Sequence, residues 1–373
     1  MNYLLWAVLG FWVVALATTL LNLLTVPRLR PRLPRRFPRV SVIVPARDEE
    51  RTIERTVRAL LAQSYPELEI IVVNDRSVDR TGEILARYPA IRVVDNEEEP
   101  PPGWLGKPWA LHQGSRRATG ELLLFVDADV IYTPDLVRAA VAHMEEGDMA
   151  LLSLFPHLEA HGFWENVAMP NLAVFAFTFL PLWLGNRSRI VRLAVGGGPG
   201  NLVRRDAYAA VGGHEALRGA VVDDVGLARL LRREGYRTEA VRAEKEVRVR
   251  MYHGLREIVD GFTKNAFAVF DYSYVLAAVF FVLAVVFHLL PYAMALTGSV
   301  PALLTIGVIA LARAILFRAI GYRLDNALFA HPLMIGVWCW ILVRSVWLTG
   351  IRRRVHWRGR TYDAGGTRFG ADD

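Results

Sequence analysis

The chain has 373 residues, of which 53% are hydrophobic and 22% charged, and its formal net charge is +7 at pH 7. This apolar fraction exceeds the range typical of soluble domains, so a membrane protein with one large or two ordinary domains is the first class to consider. The positive charge is mostly arginine near the ends of apolar segments, which suits anionic lipid headgroups. Nucleic acid is excluded as a partner because no reading motif is present, and the single cysteine, Cys339, excludes an internal disulfide.

The first apolar segment, residues 3–26, contains no charge and exceeds the roughly 20 residues that a membrane-spanning helix requires. We therefore predict a transmembrane anchor over residues 1–27. A cleaved signal peptide is disfavoured, because no Lys or Arg precedes the apolar run and no small-residue cleavage pattern closes it. By the positive-inside rule, the arginines that follow place the next domain, residues 28–250, in the cytoplasm. These arginines are Arg28, Arg30, Arg32, Arg35, Arg36 and Arg39.

Short apolar strands then alternate with helical segments, which predicts an α/β domain with a mainly parallel sheet. The predicted strands are Val40–Val44, Leu68–Val73, Ile91–Val94 and Leu122–Val126, and the predicted helices include Thr52–Ser64, a segment through Ile84 and Leu85, and one that begins near Lys107. Several of these strands end in loops that carry carboxylates. Since open α/β sheets bind ligands at the carboxyl ends of their strands, we expect the site there.

Two aspartates end the last of these strands, in the sequence Asp127-Ala128-Asp129. Carboxylates one residue apart repel each other, and a divalent cation held against a substrate diphosphate is the usual way to offset that repulsion. The alternative is a solvated Asp-rich turn, and the D-x-D pattern alone favours neither interpretation.

Lysine is rare in this chain, and Lys107 stands at a predicted helix start, just ahead of the strand that ends in Asp127. A compact positive charge at that position, aided by the helix dipole, is well placed to meet phosphate oxygens. Without the nearby aspartates, Lys107 would be interpreted as an ordinary surface lysine.

Four motifs in register resemble those of family 2 inverting glycosyltransferases with the GT-A fold. They are Pro45-x-x-x-Glu49, Val72-Val73-Asn74-Asp75-x-Ser77, Gly106-Lys107-x-x-Ala110-Leu111-x-x-Gly114 and Asp127-Ala128-Asp129. The resemblance implies a nucleotide-sugar site in which Asp75 and the Pro45–Glu49 loop hold the base and ribose and Lys107 neighbours the ribose or diphosphate. It also implies a divalent cation, Mg²⁺ or Mn²⁺, carried chiefly by Asp129 with Asp127. The donor-binding residues so implied are Pro45, Ala46, Arg47, Glu49, Asp75, Lys107, Asp127 and Ala128.

An acidic pair, Asp223-Asp224, follows a glycine-rich stretch that contains Gly198 and Asn201. Glycines let backbone approach a ligand closely, although the stretch is equally consistent with a plain loop. The pair resembles the Glu-Asp of the family, which implies that Asp224 is the catalytic base; Asp223 in place of Glu is a mild departure. Displacement at an anomeric carbon needs such a carboxylate to take the proton of the attacking hydroxyl. The alternative is that both aspartates cap the following helix, predicted over Leu227–Arg233.

Two segments are predicted to lie along the membrane surface. Residues 163–185 are apolar but interrupted by polar residues and prolines, and residues 251–272 alternate polar and apolar faces at helical spacing. The related processive synthases carry Gln-x-x-Arg-Trp in the second segment, whereas this chain has Gly261–Asn265, which includes the candidate acceptor residue Lys264. That difference argues against chain polymerisation.

Apolar segments near Ser273–Thr297, Ala302–Ile320 and Ala327–Leu348 predict a C-terminal membrane bundle over residues 273–350, followed by a basic tail at 351–373. Four spans would place that tail outside, so we predict that one segment, such as the one interrupted by His331-Pro332, is re-entrant or interfacial. Arginines within these segments are expected to face protein, water or headgroups; they are Arg313, Arg318 and Arg344.

The whole arrangement most resembles the hopene-associated and hydroxycarotenoid glucosyltransferases, notably in residues 104–107, 213–215, 262–265 and 357–362. This implies a single, inverting transfer of a sugar, glucose from UDP-glucose, to the hydroxyl of a membrane lipid such as a hydroxycarotenoid or hopanoid. One alternative is a polyprenyl-phosphate glycosyltransferase, whose anionic acceptor would need a cationic pocket. Another is an inactive scaffold that binds nucleotide sugar or lipid. The cationic pocket would come from Arg204, Arg205, Arg256 and Lys264.

Overall fold

The structure is a computed structural model that describes the backbone of residues 2–352, 354–357 and 360–363, and the side chains of residues 2–326 and 329–352. The described chain divides into two units. The sheet unit comprises Val26–His157 and Leu184–Met251, and the helical unit comprises the described parts of Met1–Thr25, Leu158–Trp183 and Tyr252–Gly365.

The strands are, in chain order, β1 (Val40–Ala46), β2 (Leu68–Asn74), β3 (Arg92–Asp95), β4 (Leu122–Phe125), β5 (Val130–Tyr132), β6 (Leu151–Phe155), β7 (His157–Leu158), β8 (Asn201–Arg204), β9 (Thr238–Arg242), β10 (Val247–Val249), β11 (Arg354–Trp357) and β12 (Arg360–Asp363). The α-helices are α1 (Asn2–Thr25), α2 (Ile53–Leu61), α3 (Thr81–Leu85), α4 (Gly106–Arg117), α5 (Leu136–Gly147), α6 (Phe163–Ala168), α7 (Pro170–Val174), α8 (Leu182–Arg187), α9 (Arg205–Ala210), α10 (Asp223–Arg233), α11 (Gly254–Ala266), α12 (Tyr274–Ala284), α13 (Leu290–Ala295), α14 (Val300–Ile320), α15 (Leu324–Phe329) and α16 (His331–Ser345).

The main sheet has the strand order β3-β2-β1-β4-β8-β6-β9. Strands β3, β2, β1 and β4 run parallel, β8 runs antiparallel to β4 and β6, and β6 pairs in parallel with β9. Strand β4 is apolar along its whole length because it lies in the sheet interior and is buried on both faces. Helix α4 lies so close to β1 that a Cβ on Gly114 would be 2.5 Å from Ile43 Cγ2, which requires glycine there.

Strand β1 continues through Pro45 to Ala46, whereas the sequence predicted that Pro45 would end it. The neighbouring strand β4 pairs with β1 only as far as Ile43, so the missing N–H of Pro45 costs no hydrogen bond on that side. On the other side Pro45 still pairs with Val73 of β2.

Two helices of the sheet unit differ in extent from their predictions. Helix α2 ends at Leu61 rather than Ser64, because the Ser64 N–H donates to Pro134 O at 2.7 Å instead of continuing the helix. Helix α10 begins at Asp223, four residues before the predicted start at Leu227, so both acidic residues lie within its first turn.

In the helical unit, four helices are long and apolar enough to cross a membrane: Asn2–Thr25, Tyr274–Ala295, Val300–Ile320 and His331–Ile351. Polar groups on α1 find partners within this unit, as a membrane environment demands. Trp12 Nε1 donates to Phe287 O at 2.8 Å, and buried Asn22 donates through Nδ2 to Phe177 O and Leu180 O.

The arginines of the C-terminal segments are placed mostly as expected. Arg313 is buried and donates to Met334 Sδ at 3.2 Å and to Asn326 O at 3.0 Å. Arg344 donates to Thr263 Oγ1 at 2.7 Å, while Arg318 is exposed. Two of the three arginines therefore face protein groups.

The predicted segment Ala327–Leu348 is wrong in its first residues, because it spans two separate helices, α15 and α16. Pro332 lies in the first turn of α16, where a missing N–H costs nothing, so His331-Pro332 begins this helix rather than interrupting it. The re-entrant topology stays a prediction. The predicted basic tail at 351–373 falls largely outside the described residues.

Residues 163–185 form short helical pieces, from α6 through a π-helical turn at Phe175–Phe179 to α8. Buried Glu165 ties α6 to the start of α11 by accepting the His161 N–H at 3.0 Å and the Gly254 N–H at 3.1 Å. Helix α11 covers the second predicted surface segment, and the membrane-surface position of both stays a prediction.

Candidate functional site

Lys107 occupies the first turn of α4, whose position against β1 brings this lysine to the carboxyl edge of the sheet. Its Nζ lies 2.7 Å from Asp127 Oδ1, just beyond β4, and 3.7 Å from Asp223 Oδ1 at the start of α10. Three motifs that are distant in sequence therefore meet around one ammonium group.

A pocket surrounds this ammonium group. It contains both residues of the acidic pair, the first aspartate of the D-x-D motif, and part of the glycine-rich stretch. Its lining residues are Lys107, Leu111, Phe125, Val126, Asp127, Gly197, Gly198, Asn201, His214, Asp223, Asp224 and Leu227.

Opposite charges in the pocket stabilise each other. Burial lowers the pKa of Lys107, but the carboxylates of Asp127, Asp223 and Asp224 outweigh burial and raise it above its usual value. Burial raises the pKa of Asp223, yet Lys107 and then the neighbouring His214 imidazole bring it below its ordinary value. Lys107 is thus a fixed cation and Asp223 a fixed anion at neutral pH.

Asp224 has the opposite character from its neighbour Asp223. Burial, together with repulsion from the Asp223 carboxylate, raises the pKa of Asp224 to about 6, although Lys107 opposes the change. The Asp224 residue is partly exposed, whereas Asp223 is buried. The residue of the pair that lies at the pocket surface is therefore the one that can exchange a proton near neutral pH.

The glycine-rich stretch packs directly on these aspartates. The Asp127 N–H donates to Gly198 O at 3.2 Å, and a Cβ on Gly198 would lie 2.3 Å from Asp127 Oδ2. Asn201 Nδ2 donates to Asp224 O at 3.3 Å, and Asn201 Oδ1 accepts from Ser153 Oγ at 2.7 Å. This stretch therefore shapes the pocket wall rather than forming a free loop.

A second cluster lies at the ends of β1 and β2. Buried Asp75 donates its N–H to Ala46 O at 2.8 Å, and its carboxylate lies 3.7 Å from both Arg47 Nη1 and Arg76 Nε. Burial raises the pKa of Asp75, and the two arginines act against that increase. Arg76 also pairs with Glu99.

Residues 41–211 match the model of the family described as "Glycosyl transferase family 2". Residues 41–211 are a family 2 glycosyltransferase domain. Among curated proteins, the chain is similar to the 4,4'-diaponeurosporenoate glycosyltransferases of Staphylococcus aureus, with 27% identity in strain USA300 and 28% in strain MRSA252 over 234 residues. The match covers 61% of this chain and spans 60% of the length of these relatives.

Among solved structures, the chain is similar to a mannosyltransferase from Pyrobaculum calidifontis in complex with GDP-Man and Mn²⁺. The TM-score is 0.54 at 19% identity, covering 92% of this chain and 99% of that one. This similarity concerns the fold. The predicted GT-A fold with a mainly parallel sheet is confirmed.

Some of the predicted site residues do not line the pocket. Asp75, Asp129, Glu49 and Ala128 are not among its lining residues, and Glu49 Oε2 accepts from Thr52 Oγ1 at 2.7 Å near the start of α2. Lys264 lies on α11 of the helical unit. Arg204 and Arg205 are exposed, and Arg204 pairs with Asp148 at 3.2 Å, so neither contributes to the pocket.

The fit of a divalent cation depends on the D-x-D motif. Within the described residues, no group of three or more His, Cys, Asp or Glu side chains could hold a metal ion. Asp127 and Asp129 would offer hard oxygen ligands of the kind that Mg²⁺ or Mn²⁺ takes, and diphosphate oxygens and water would have to complete the shell. By its chemistry, this donor set would suit a cation that arrives with its substrate.

Two residues that contact the acidic pair belong to stretches that the sequence resemblance included, but they were not predicted as site residues. His214 Nε2 lies 3.6 Å from Asp223 Oδ2, and a Cβ on Gly196 would lie 2.0 Å from Asp224 O. The glycine pair at 212–213 was a signal for a tight turn before His214, but nothing in the spacing connected that turn to Asp223.

The capping interpretation of the acidic pair is not supported. The N-cap of α10 is Val222, and no side chain caps this end by a hydrogen bond. Asp224 Oδ1 instead accepts the backbone N–H of the next residue, Val225, at 2.8 Å.

Proposed function

We propose that this protein transfers a single sugar, with inversion, from a nucleotide sugar to the hydroxyl of a membrane lipid. The observation that carries the proposal is the pocket in which Lys107, Asp127 and Asp224 meet. The expected donor is UDP-glucose and the expected acceptor a hydroxycarotenoid or hopanoid. The similarity to 4,4'-diaponeurosporenoate glycosyltransferases over 61% of the chain supports a carotenoid-type lipid acceptor, whereas the acceptor hydroxyl is expected from the sequence resemblance alone.

Asp224 is the proposed base. Its pKa of about 6 leaves it ionised at neutral pH, and because this pKa is raised, the carboxylate is a stronger proton acceptor than an ordinary aspartate. It would take the proton from the acceptor hydroxyl as the oxygen attacks the anomeric carbon. Inversion follows from a single displacement at that carbon.

Lys107 and the D-x-D motif would receive the leaving diphosphate. Asp127 and Asp129 would hold a divalent cation, which when bound would neutralise charge on the departing group. The Lys107 ammonium is a preorganised positive charge at the same end of the sheet, and such charges act where negative charge develops.

Asp75 and the Pro45–Glu49 loop are the proposed base and ribose site. Asp75 is buried at the carboxyl end of β2, next to Arg47, and its hydrogen bond to Ala46 O ties the two strand ends together. A rigid carboxylate beside arginines suits the polar edges of a nucleoside. Glu49, through its bond to Thr52, would keep the loop in place rather than touch the sugar.

We also propose that the sheet unit lies on the cytoplasmic side of an inner or plasma membrane. Four helices are long and apolar enough to cross a membrane, and a cluster of arginines follows the first of them. An acceptor dissolved in the bilayer would then be modified without leaving it.

The test is transfer of label from a set of radioactive nucleotide sugars, including UDP-glucose, to lipid in membranes that contain the protein. We expect a labelled neutral lipid with the wild-type chain and none with Asp224→Asn, while binding of UDP-glucose persists. Asp148→Asn is the matched control, because Asp148 is exposed and its carboxylate pairs with Arg204 at the protein surface. Label on polyprenyl phosphate alone, or equal transfer by Asp224→Asn, would contradict the proposal.

A further inference from the structure

His214 is almost fully buried, with 1% of its surface exposed, in a short turn after α9. Its two ring nitrogens face different groups. Nδ1 lies 2.7 Å from the hydroxyl of Tyr208, and Nε2 lies 3.6 Å from Asp223 Oδ2. The imidazole therefore bridges the protein core and the acidic pair.

The hydroxyl of Tyr208 selects the form of this imidazole. The hydroxyl oxygen accepts the backbone N–H of His214 at 2.9 Å. The hydroxyl proton has two acceptors within reach, His214 Nδ1 at 2.7 Å and Ser115 Oγ at 3.2 Å. Burial raises the pKa of Tyr208 to about 12, so the hydroxyl keeps that proton. When Nδ1 accepts it, neutral His214 carries its own proton on Nε2, directed at Asp223.

The backbone around His214 is built for this contact. Gly213 has φ +53°, in the left-handed region, and a Cβ there would lie 2.5 Å from Tyr208 Cε1. Only glycine lets the tyrosine ring pass so close beneath the turn. The ring of Phe125 packs edge-on against His214 with centroids 4.7 Å apart.

Asp223 thus divides its two oxygens between two partners. Oδ1 lies 3.7 Å from Lys107 Nζ, and Oδ2 lies 3.6 Å from His214 Nε2. With one partner on each oxygen, the carboxylate has a defined rotation. Because Asp224 is the next residue on α10, its position beside the pocket depends on how Asp223 is held.

We propose that His214 is a positioning residue: held by Tyr208 with its proton on Nε2, it orients Asp223 toward Lys107 and thereby sets the place of Asp224 in the pocket. The effect on reaction rate depends on the proposed function. Which ring nitrogen of His214 carries the proton does not depend on the proposed function, so the proton position and the rate effect can be tested separately.

The rate test compares His214→Phe, which keeps an aromatic ring but loses the donor, with His214→Gln, which keeps an amide donor. We expect His214→Phe to lower kcat by about 10- to 100-fold, the range typical when a residue that orients a directly acting side chain is removed. The donor KM should change little, and His214→Gln should restore most of kcat. Equal loss in both variants, or a loss confined to KM, would overturn the proposal.

Tyr208→Phe provides a second variant if His214→Phe does not fold. It should lower kcat, and it should cost nothing further when combined with a His214 variant that folds, because both remove the same chain of contacts. Additive losses would show that Tyr208 and His214 act independently and would count against the proposal.

The form of the imidazole is read from ¹⁵N NMR of the full chain in detergent, labelled at its nine histidines. The resonance absent from His214→Gln identifies His214. We expect a protonated Nε2 and an unprotonated Nδ1, a preference lost in Tyr208→Phe. A protonated Nδ1, or no change in Tyr208→Phe, refutes the proposal even if no sugar transfer is ever found; absence of transfer with the expected NMR result refutes only the proposed function.

Discussion

The ammonium of Lys107 lies 2.7 Å from Asp127 Oδ1, although Asp127 is the residue proposed to share a cation with the donor diphosphate. The lysine therefore stands where the proposed reaction would need positive charge. In the proposed reaction, the oxygens of a donor diphosphate would offer Lys107 a new partner and would leave Asp127 open to a cation. The ion pair would thus link binding of the cation to binding of the donor.

Replacing Lys107 separates these two events. Lys107→Met removes the competing charge, so the protein without donor should bind Mn²⁺ more tightly than wild type, as followed by electron paramagnetic resonance. Transfer should nevertheless fall, by roughly 100-fold if the lysine acts like other preorganised charge stabilisers. Lys107→Arg is the control that keeps the charge. Weaker Mn²⁺ binding in Lys107→Met would contradict the link.

The acid limb of the pH–rate profile should report Asp224. A base must be ionised, so the rate should rise with pH through about 6 and level off above it. Asp223→Asn removes a neighbouring negative charge, which lowers the pKa of Asp224 and moves the limb to lower pH. Because burial is the largest cause of the raised pKa, the limb should stay above the range of an exposed aspartate. A limb that moves to higher pH in Asp223→Asn would assign it to another group.

The sequence predicted the parts of this site that local patterns encode. Apolar runs located β2 and β4, and Lys107 was placed correctly at the start of α4, because these features depend on residues close in the chain. The extension of β1 through Pro45 was not predictable in this way, since it depends on where the neighbouring strand stops pairing.

The contacts of His214 illustrate what local patterns leave out. Its partners Tyr208 and Asp223 come from α9 and α10, and Tyr208 is in turn hydrogen-bonded to Ser115 of α4. These residues meet only once the helices are packed. The separation of the Asp75 cluster from the pocket lining is likewise a property of the folded edge of the sheet. Sequence reasoning could name these residues as members of motifs, but not assign their neighbours.

Asp75 should affect binding of the donor more than chemistry. Asp75→Asn preserves shape but removes the charge that lies 3.7 Å from two arginines. We expect the donor KM to rise about tenfold with kcat nearly unchanged, the pattern for an interaction made equally in the bound and transition states. Asp148→Asn should alter neither constant. A fall in kcat at unchanged KM would place Asp75 in the chemical step instead.

Adjacent glycines offer a sharp test of the pocket wall. A Cβ on Gly198 would lie 2.3 Å from Asp127 Oδ2, whereas a Cβ on Gly197 would meet nothing closer than Leu154 O at 3.6 Å, an ordinary contact. Gly198→Ala should therefore displace the Asp127 carboxylate and weaken its contact with Lys107. Both variants add the same methyl group to the same stretch, so a general effect of alanine on the backbone would appear in both.

The measurements are transfer rate, Mn²⁺ dependence and the midpoint of thermal unfolding for the two variants. We expect Gly198→Ala to lose most transfer and to need more Mn²⁺ for half-maximal rate, while Gly197→Ala stays within about twofold of wild type, as substitutions that touch little usually do. Because Asp127 lies at the pocket surface rather than in the core, unfolding midpoints should differ little. If the two variants transferred sugar equally well, the position of Asp127 would not matter to the reaction, and its proposed role as a cation ligand would have to be given up.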